Sequence, residues 1–194
     1  MKLSAVFDQL QNHCPSLAGR ILAGVDLDSL TSHTTQPVPA AYIAPSNDLA
    51  TANSAQNAHR QSIRDRFEVL LLLDAGNPQQ ALDQLHDLRA ELWRALVGFK
   101  PSAEYNPIEY DGGERVSLNA NRLLYRLVFF AEFQLGRNLS SQPAETWQER
   151  ELDGLPSFTG VTVRVDAIDP ADPNLKRPGP DGRLELSFSG ELTQ

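Results

Sequence analysis

Hydrophobic positions along this chain switch between a helical and a strand-like period, and the switches mark out its elements. Leu3, Val6, Phe7 and Leu10 recur at three- and four-residue steps. That spacing predicts a short amphipathic helix, with Ser4 as its cap and Pro15 as its stop. Gly19–Val25 (GRILAGV) reads as a short strand or extended turn, and Asp26–Leu30 (DLDSL) as a brief helix capped by Asp26. Val38–Pro45 (VPAAYIAP) reads as a strand whose prolines place it at a sheet edge. Ser46–Asn57 (SNDLATANSAQN) is small, polar and aperiodic, which predicts a surface loop or one that orders on a partner.

The next segment, Arg60–Asp74, begins polar and turns wholly apolar. Phe67, Val69, Leu71 and Leu73 fall on one parity, Leu70 and Leu72 on the other. This predicts a strand buried on both faces, covered by a helix on one side and by more sheet or another subunit on the other. A helix over Pro78–Val97 follows. Asn77 is placed to cap it, Pro78 fits its first position and Gln80 fits a capping-box partner. Leu82, Leu85, Leu88, Leu92 and Leu96 form its apolar stripe with Trp93 beside them. Gly98 supplies the left-handed stop.

Beyond that stop, Ile108 and Tyr110 alternate with Glu109, and Val116 and Leu118 with Ser117. The intervening Asp111-Gly112-Gly113 tolerates positive φ, so the pattern predicts a β-hairpin. Leu123, Tyr125, Leu127, Phe129, Ala131, Phe133 and Leu135 then share one parity, with Arg122, Arg126, Glu132 and Gln134 opposite. A helix would scatter those polar residues over a wide arc, so a long strand is favoured. Gly136–Gly160 reads as a loop-rich link anchored by Trp147. Val161–Ile168 alternates, with Val161, Val163 and Val165 inward, and pairs antiparallel with Arg183–Ser189 across a proline-rich loop, 169–182. The sum is an α+β fold. A largely antiparallel sheet carries one major helix and a smaller N-terminal helix on a face, in a single domain over 1–194.

Composition narrows what such a fold can do. The net charge of -8 over 194 residues repels phosphate and argues against gripping nucleic acid or an anionic membrane. A single cysteine, Cys14, allows no internal disulfide and fits a reducing compartment. The N-terminal stretch lacks an apolar signal core, so folding in the cytoplasm is expected. No nucleophile elbow, phosphate-binding glycine loop or His-Glu-x-x-His pattern occurs. His13, His33, His59 and His86 lack metal-ligand spacing. Asp26 and Asp28 open like a calcium loop, but Leu30 takes the third ligand position; Asp169 and Asp172 read as turn residues. His13 and Cys14 are adjacent and point apart on a helix, which excludes a dyad. No catalytic, cofactor or metal site is expected. Tyr105, Tyr110, Tyr125, Phe129 and Phe130 read as packing residues, since a base-stacking platform needs a basic surface.

The order of these segments resembles the tail terminator proteins of long-tailed bacteriophages. The resemblance runs through LDQLHDLRAELWRALVGFKP, then NPIEYDGGERVSL, then the long apolar strand, and is extended by VTVRVDAIDPADPN and PGPDGRLELSFSGEL. It also includes a leucine-striped helix ending at Gly98, Phe99 and Pro101. It implies a virion structural protein forming a ring, usually of six subunits, at the head-proximal end of the tail tube. Implied partners are further copies of the chain, the tail tube protein and the head–tail connector, with genome DNA passing through the lumen. Gly136–Gly160 is longer than the resemblance leads one to expect.

A ring requires one patch on each subunit to meet a different patch on its neighbour. The sheet edges suit that contact, by strand addition among other routes. The candidate contact set is Tyr110, Asp111, Gly112, Gly113 and Glu114, with Arg122 and Arg126 on the following strand; the alternative is an ordinary hairpin with a solvated tip. Competing readings are another neck or head-completion protein, a small enzyme with converging acids, and a peptide-binding module using a sheet edge.

Overall fold

In a computed structural model the chain forms two units, Met1–Arg150 and Glu151–Gln194. The structure describes residues 1–24, 37–118, 121–156, 160–165 and 186–191. The expected Asp26–Leu30 helix, the 169–182 loop, His33, Asp169 and Asp172 lie outside these residues.

The first unit opens with helix α1, Ser4–His13, which ends ahead of Pro15 as expected. Ser4 does not cap it: Leu3 occupies the cap position and Ser4 is the first helical residue. A 3-10 turn, Pro15–Leu17, leads to β1, Ile21–Ala23. Strand β2 runs Ala40–Ala50, β3 Gln61–Asp74, β4 Glu109–Leu118 and β5 Arg122–Leu135, with helix α2, Pro78–Leu96, between β3 and β4. The sheet order is β1-β2-β3-β5-β4. β1 pairs parallel with β2 and every other pairing in this sheet is antiparallel. The α+β class and the long strand over Arg122–Leu135 are therefore as expected.

Three expectations change here. β2 is not at the edge, because β1 covers its first residues; Pro45 is tolerated where the β2–β3 register shifts. Ser46–Ala50 is strand, not loop. This outer half of β2 is largely exposed, so no alternation marked it. Its turn is held by polar side chains: Asn53 Oδ1 accepts from Arg60 N at 2.8 Å and Thr51 Oγ1 from Ser62 N at 3.0 Å. Thirdly, Leu82 is 61% exposed; the buried face of α2 is Ala81, Leu85, Leu88, Leu92, Ala95 and Leu96. Asn77 does cap α2, accepting from Gln79 N and Gln80 N at 3.2 and 3.4 Å. Gly98 has φ +90° and donates to Ile108 O, while Ile108 donates to Phe99 O. Those two bonds clamp the end of α2 against the start of β4.

The core lies between the helices and one sheet face. Phe67, Val69, Leu71 and Leu73 of β3 meet Leu123, Leu127, Phe129 and Ala131 of β5 there, roofed by α2 and by Val6 and Leu10 of α1. The Phe67 and Phe129 rings stack with centroids 5.6 Å apart. On the opposite face Leu70 and Leu72 are buried with Ala40, Tyr42 and Leu124. β3 is thus buried on both faces, as expected.

Gly136–Gly160 contains a helix, α3 (Trp147–Asp153), which sequence reading took for loop. Trp147 is 70% exposed and is not sunk in the core. Glu149 fastens the segment: its carboxylate accepts from Arg137 N at 2.8 Å, Glu145 N at 2.8 Å and Thr146 N at 3.0 Å. Thr146 and Glu149 are the two ends of a capping box, the signal that was overlooked. Burial alone would raise the Glu149 carboxyl, but the donations from Glu145, Arg137 and Thr146 outweigh it and hold the group below its ordinary value. Asn138 joins this loop to the sheet by accepting from Arg60 at 2.9 Å and Gln134 at 2.8 Å.

In the second unit β6, Gly160–Val165, pairs antiparallel with β7, Leu186–Glu191, as expected, in a separate two-stranded sheet. Val161 and Val163, expected inward, are exposed, as are Thr162 and Arg164.

Two outcomes follow from this packing. Phe67→Ala removes a fully buried ring and half of the Phe67–Phe129 stack, so urea denaturation should register a loss of about 3–5 kcal/mol. The Glu149 clasp rests on a carboxylate whose value is lowered by folding. Its stabilisation is complete above the ordinary carboxylate range and is lost as pH falls through the lowered value. Amide-exchange protection at Arg137, Glu145 and Thr146, corrected for the intrinsic rate, should fall on that acid limb in the parent and be low throughout in Glu149→Ala.

Candidate subunit interface on the edge strand

The expected hairpin turn at Asp111–Gly113 is not a turn. Those residues lie within β4, which runs on to Leu118 before the chain reverses into β5. The glycines serve a bulge instead. Tyr110 pairs with Phe129 and Gly112 with Val128, leaving Asp111 as an extra residue. Gly112 has φ +141°. At Gly113 an added Cβ would meet Tyr110 Oη at 2.8 Å, Tyr125 Cε1 at 2.9 Å and Arg126 O at 3.0 Å, so only glycine fits.

The bulge sorts the candidate residues onto two faces. Tyr110 points toward the helices, its ring 5.3 Å from Trp93, edge-on, and 5.3 Å from Phe129. Burial pushes its hydroxyl value up, Tyr125 adds to the rise and Arg89 opposes it. Asp111 points to the other face and is ion-paired with Arg66 of β3, across the intervening β5. Arg66 also donates to Asn47 Oδ1 of β2 at 3.2 Å. Glu114 is ion-paired with Arg126, whose other terminal nitrogen lies 3.5 Å from Glu68 Oε1. The Glu114 hydrogen bond holds the Arg126 guanidinium above its ordinary value, against a smaller opposing effect of burial. Ser46 Oγ in turn donates to Glu68 at 3.1 Å. Arg64 and Glu132 complete the row at 2.8 Å, with the Arg64 guanidinium 4.1 Å over the Phe130 ring.

Six of the seven candidates therefore gather around one bulge: Tyr110 inward, Asp111, Glu114 and Arg126 in ion pairs, Gly112 and Gly113 shaping the backbone. Arg122 stands apart, opposite Asp74 at the far end of β5. Sequence reading missed the roles of Arg64, Arg66, Glu68 and Glu132. All four fall on even positions of β3 and β5, the parity away from the core, but only Arg64 and Glu132 stand directly opposite each other; Arg66 reaches its partner on β4, which the sequence does not show.

The arrangement is structural in its chemistry. The ion pairs are partly exposed, where each contributes roughly 0–1 kcal/mol. Among the described residues no group of three His, Cys, Asp or Glu side chains is placed to hold a metal. Cys14 is buried, and desolvation, helped by Glu91 and opposed by Arg94, pushes its thiol up to about 12, which leaves it unreactive.

Residues 1–141 match the family model "Phage tail terminator protein". The chain belongs to the phage tail terminator family. It is accordingly a tail structural protein of a phage-type virion. The matched stretch takes in the whole five-stranded sheet with α1 and α2, and the family member's β6–β7 pair lies beyond it. Among curated proteins nothing matches. Among solved structures the chain is similar to one from the "Virion of native gene transfer agent (GTA) particle". Identity is 18%, coverage 68% of this chain and 92% of that one, and the TM-score 0.44. Family membership rests on the 1–141 match, not on this likeness.

Gly113→Ala drives a methyl into two tyrosine rings and a carbonyl. It should destabilise the fold by about 1–3 kcal/mol, read as a lowered urea midpoint.

Proposed function

We propose that this tail terminator forms a ring, of six subunits in the resemblance drawn above, that caps the head-proximal end of the tail tube. The ring stops tube polymerisation and offers the joining surface to the head–tail connector. It acts by assembly and not by catalysis. The observation that carries this reading is the extent of the family match, which spans every element of the five-stranded sheet and the two helices packed on it. Genome DNA passes through the lumen without sequence-specific contact. The net charge of -8 supports this, because a wall rich in carboxylates does not hold phosphate. The protein folds in the host cytoplasm and ends in the virion.

The proposed contact with a neighbouring subunit or tube ring is the β4 edge around Tyr110–Glu114, backed by Arg126, with Arg122 further along. The contact is made through the side chains of this strand and not by strand addition, and it meets a different patch on the neighbour, as a heterologous ring contact requires. Tyr110 packs inward, so contact falls to the exposed Glu114 and Arg115. The double variant Glu114→Ala/Arg115→Glu should lose the ring species in size exclusion and leave tubes overlong. Intact rings and normal capping would remove this edge from the interface. A parent protein that binds no tube end would defeat the capping role itself.

A further inference from the structure

We infer that β4 is a guarded edge: its bulges and ion-pair staples prevent a second copy of the chain from extending the sheet by strand addition. The inference does not depend on the ring reading. The five-stranded sheet ends at β4, and an edge strand offers its outward N–H and C=O groups to any incoming strand. Two copies could join β4 to β4 about a two-fold axis, or β4 to the short, parallel β1 of the next copy, which is heterologous and gives open filaments unless its rotation closes. A subunit with this topology needs protection at β4, which is by far the longer edge.

The protection is visible residue by residue. Asp111 is extra between the pairs Tyr110–Phe129 and Gly112–Val128, and Val116 is extra between Arg115–Tyr125 and Ser117–Leu124. Each extra residue breaks the repeat and twists the strand locally. Between the breaks only Gly112, Gly113, Glu114 and Arg115 keep a regular register. That run is shorter than the roughly 5–6 residues of an ordinary strand. The breaks are also fastened. Asp111 is ion-paired with Arg66 two strands away, and Glu114, just before the second break, is ion-paired with Arg126. Gly113 is pressed under Tyr110 and Tyr125, which holds this stretch of backbone in place.

The register supplies a direct test. Deleting both Asp111 and Val116 restores a regular ladder over the whole of β4 and leaves every other β4 side chain on its present face. In the full-length chain this double deletion should produce species that grow with concentration beyond the parent's size. Hydrogen exchange should show new protection of the outward amides of Glu109–Ser117 in those species. A folded deletion protein that keeps the parent's size would overturn the inference. So would larger species lacking the new protection, or a parent that already shows it. If the double deletion does not fold, Asp111→Val is read in the same assays. It removes the Arg66 staple and favours extended pairing, so it should shift size and protection in the same direction; no shift would count equally against the guard.

Discussion

The unbroken ladder between β3 and β5 is the constraint on which the rest of this structure depends. Gln61 pairs with Leu135, Asp74 with Arg122, and every residue between them keeps register. Because side chains alternate across a sheet, that single register decides two faces at once. It places Phe67 on Phe129 beneath α2, and it places Arg64 opposite Glu132 on the other side. A slip of one residue would turn the phenylalanines outward and bury the arginines. The other strands are attached to this pair, β2 along β3 and β4 along β5, each with register shifts that the central ladder lacks.

Legibility in the sequence followed burial. The apolar runs of β3 and β5 and the capped, striped α2 were readable because hydrophobic periodicity records a buried face. The outer half of β2 was read as loop because both its sides are largely wet, so its small polar residues carry no period. The β4 error has a different origin. Asp111-Gly112-Gly113 is strong turn chemistry, and the same freedom of φ serves a bulge within an edge strand. Only pairing with β5 distinguishes the two, and pairing is a long-range fact. Helix α3 carried the Thr146–Glu149 signature, but a large aromatic residue drew the expectation of an anchor to Trp147 when the buried group is a carboxylate.

Six of the seven candidate contact residues lie together around a bulge in the edge strand and not at a hairpin tip. Their charges are spent within the subunit: Arg66 on Asp111, and Arg126 on Glu114 and Glu68. The outer sheet face is consequently a mosaic of paired charges with no isolated cation among these arginines.

The clamp formed by Gly98, Phe99 and Ile108 bears on how the chain finds its structure. Strand β3 meets a partner that lies beyond α2 and β4, so the central ladder must wait for a long loop to close. Loop-closure entropy rises with loop length, and within this ladder the loop is shortest at the Asp74–Arg122 end. By shortening the effective path between α2 and β4, the clamp brings β5 back toward β3 with fewer free residues in between. Zippering from Asp74–Arg122 outward is then the least costly order in chain entropy, and the end that closes last is the one tied down by Asn138 and Glu149.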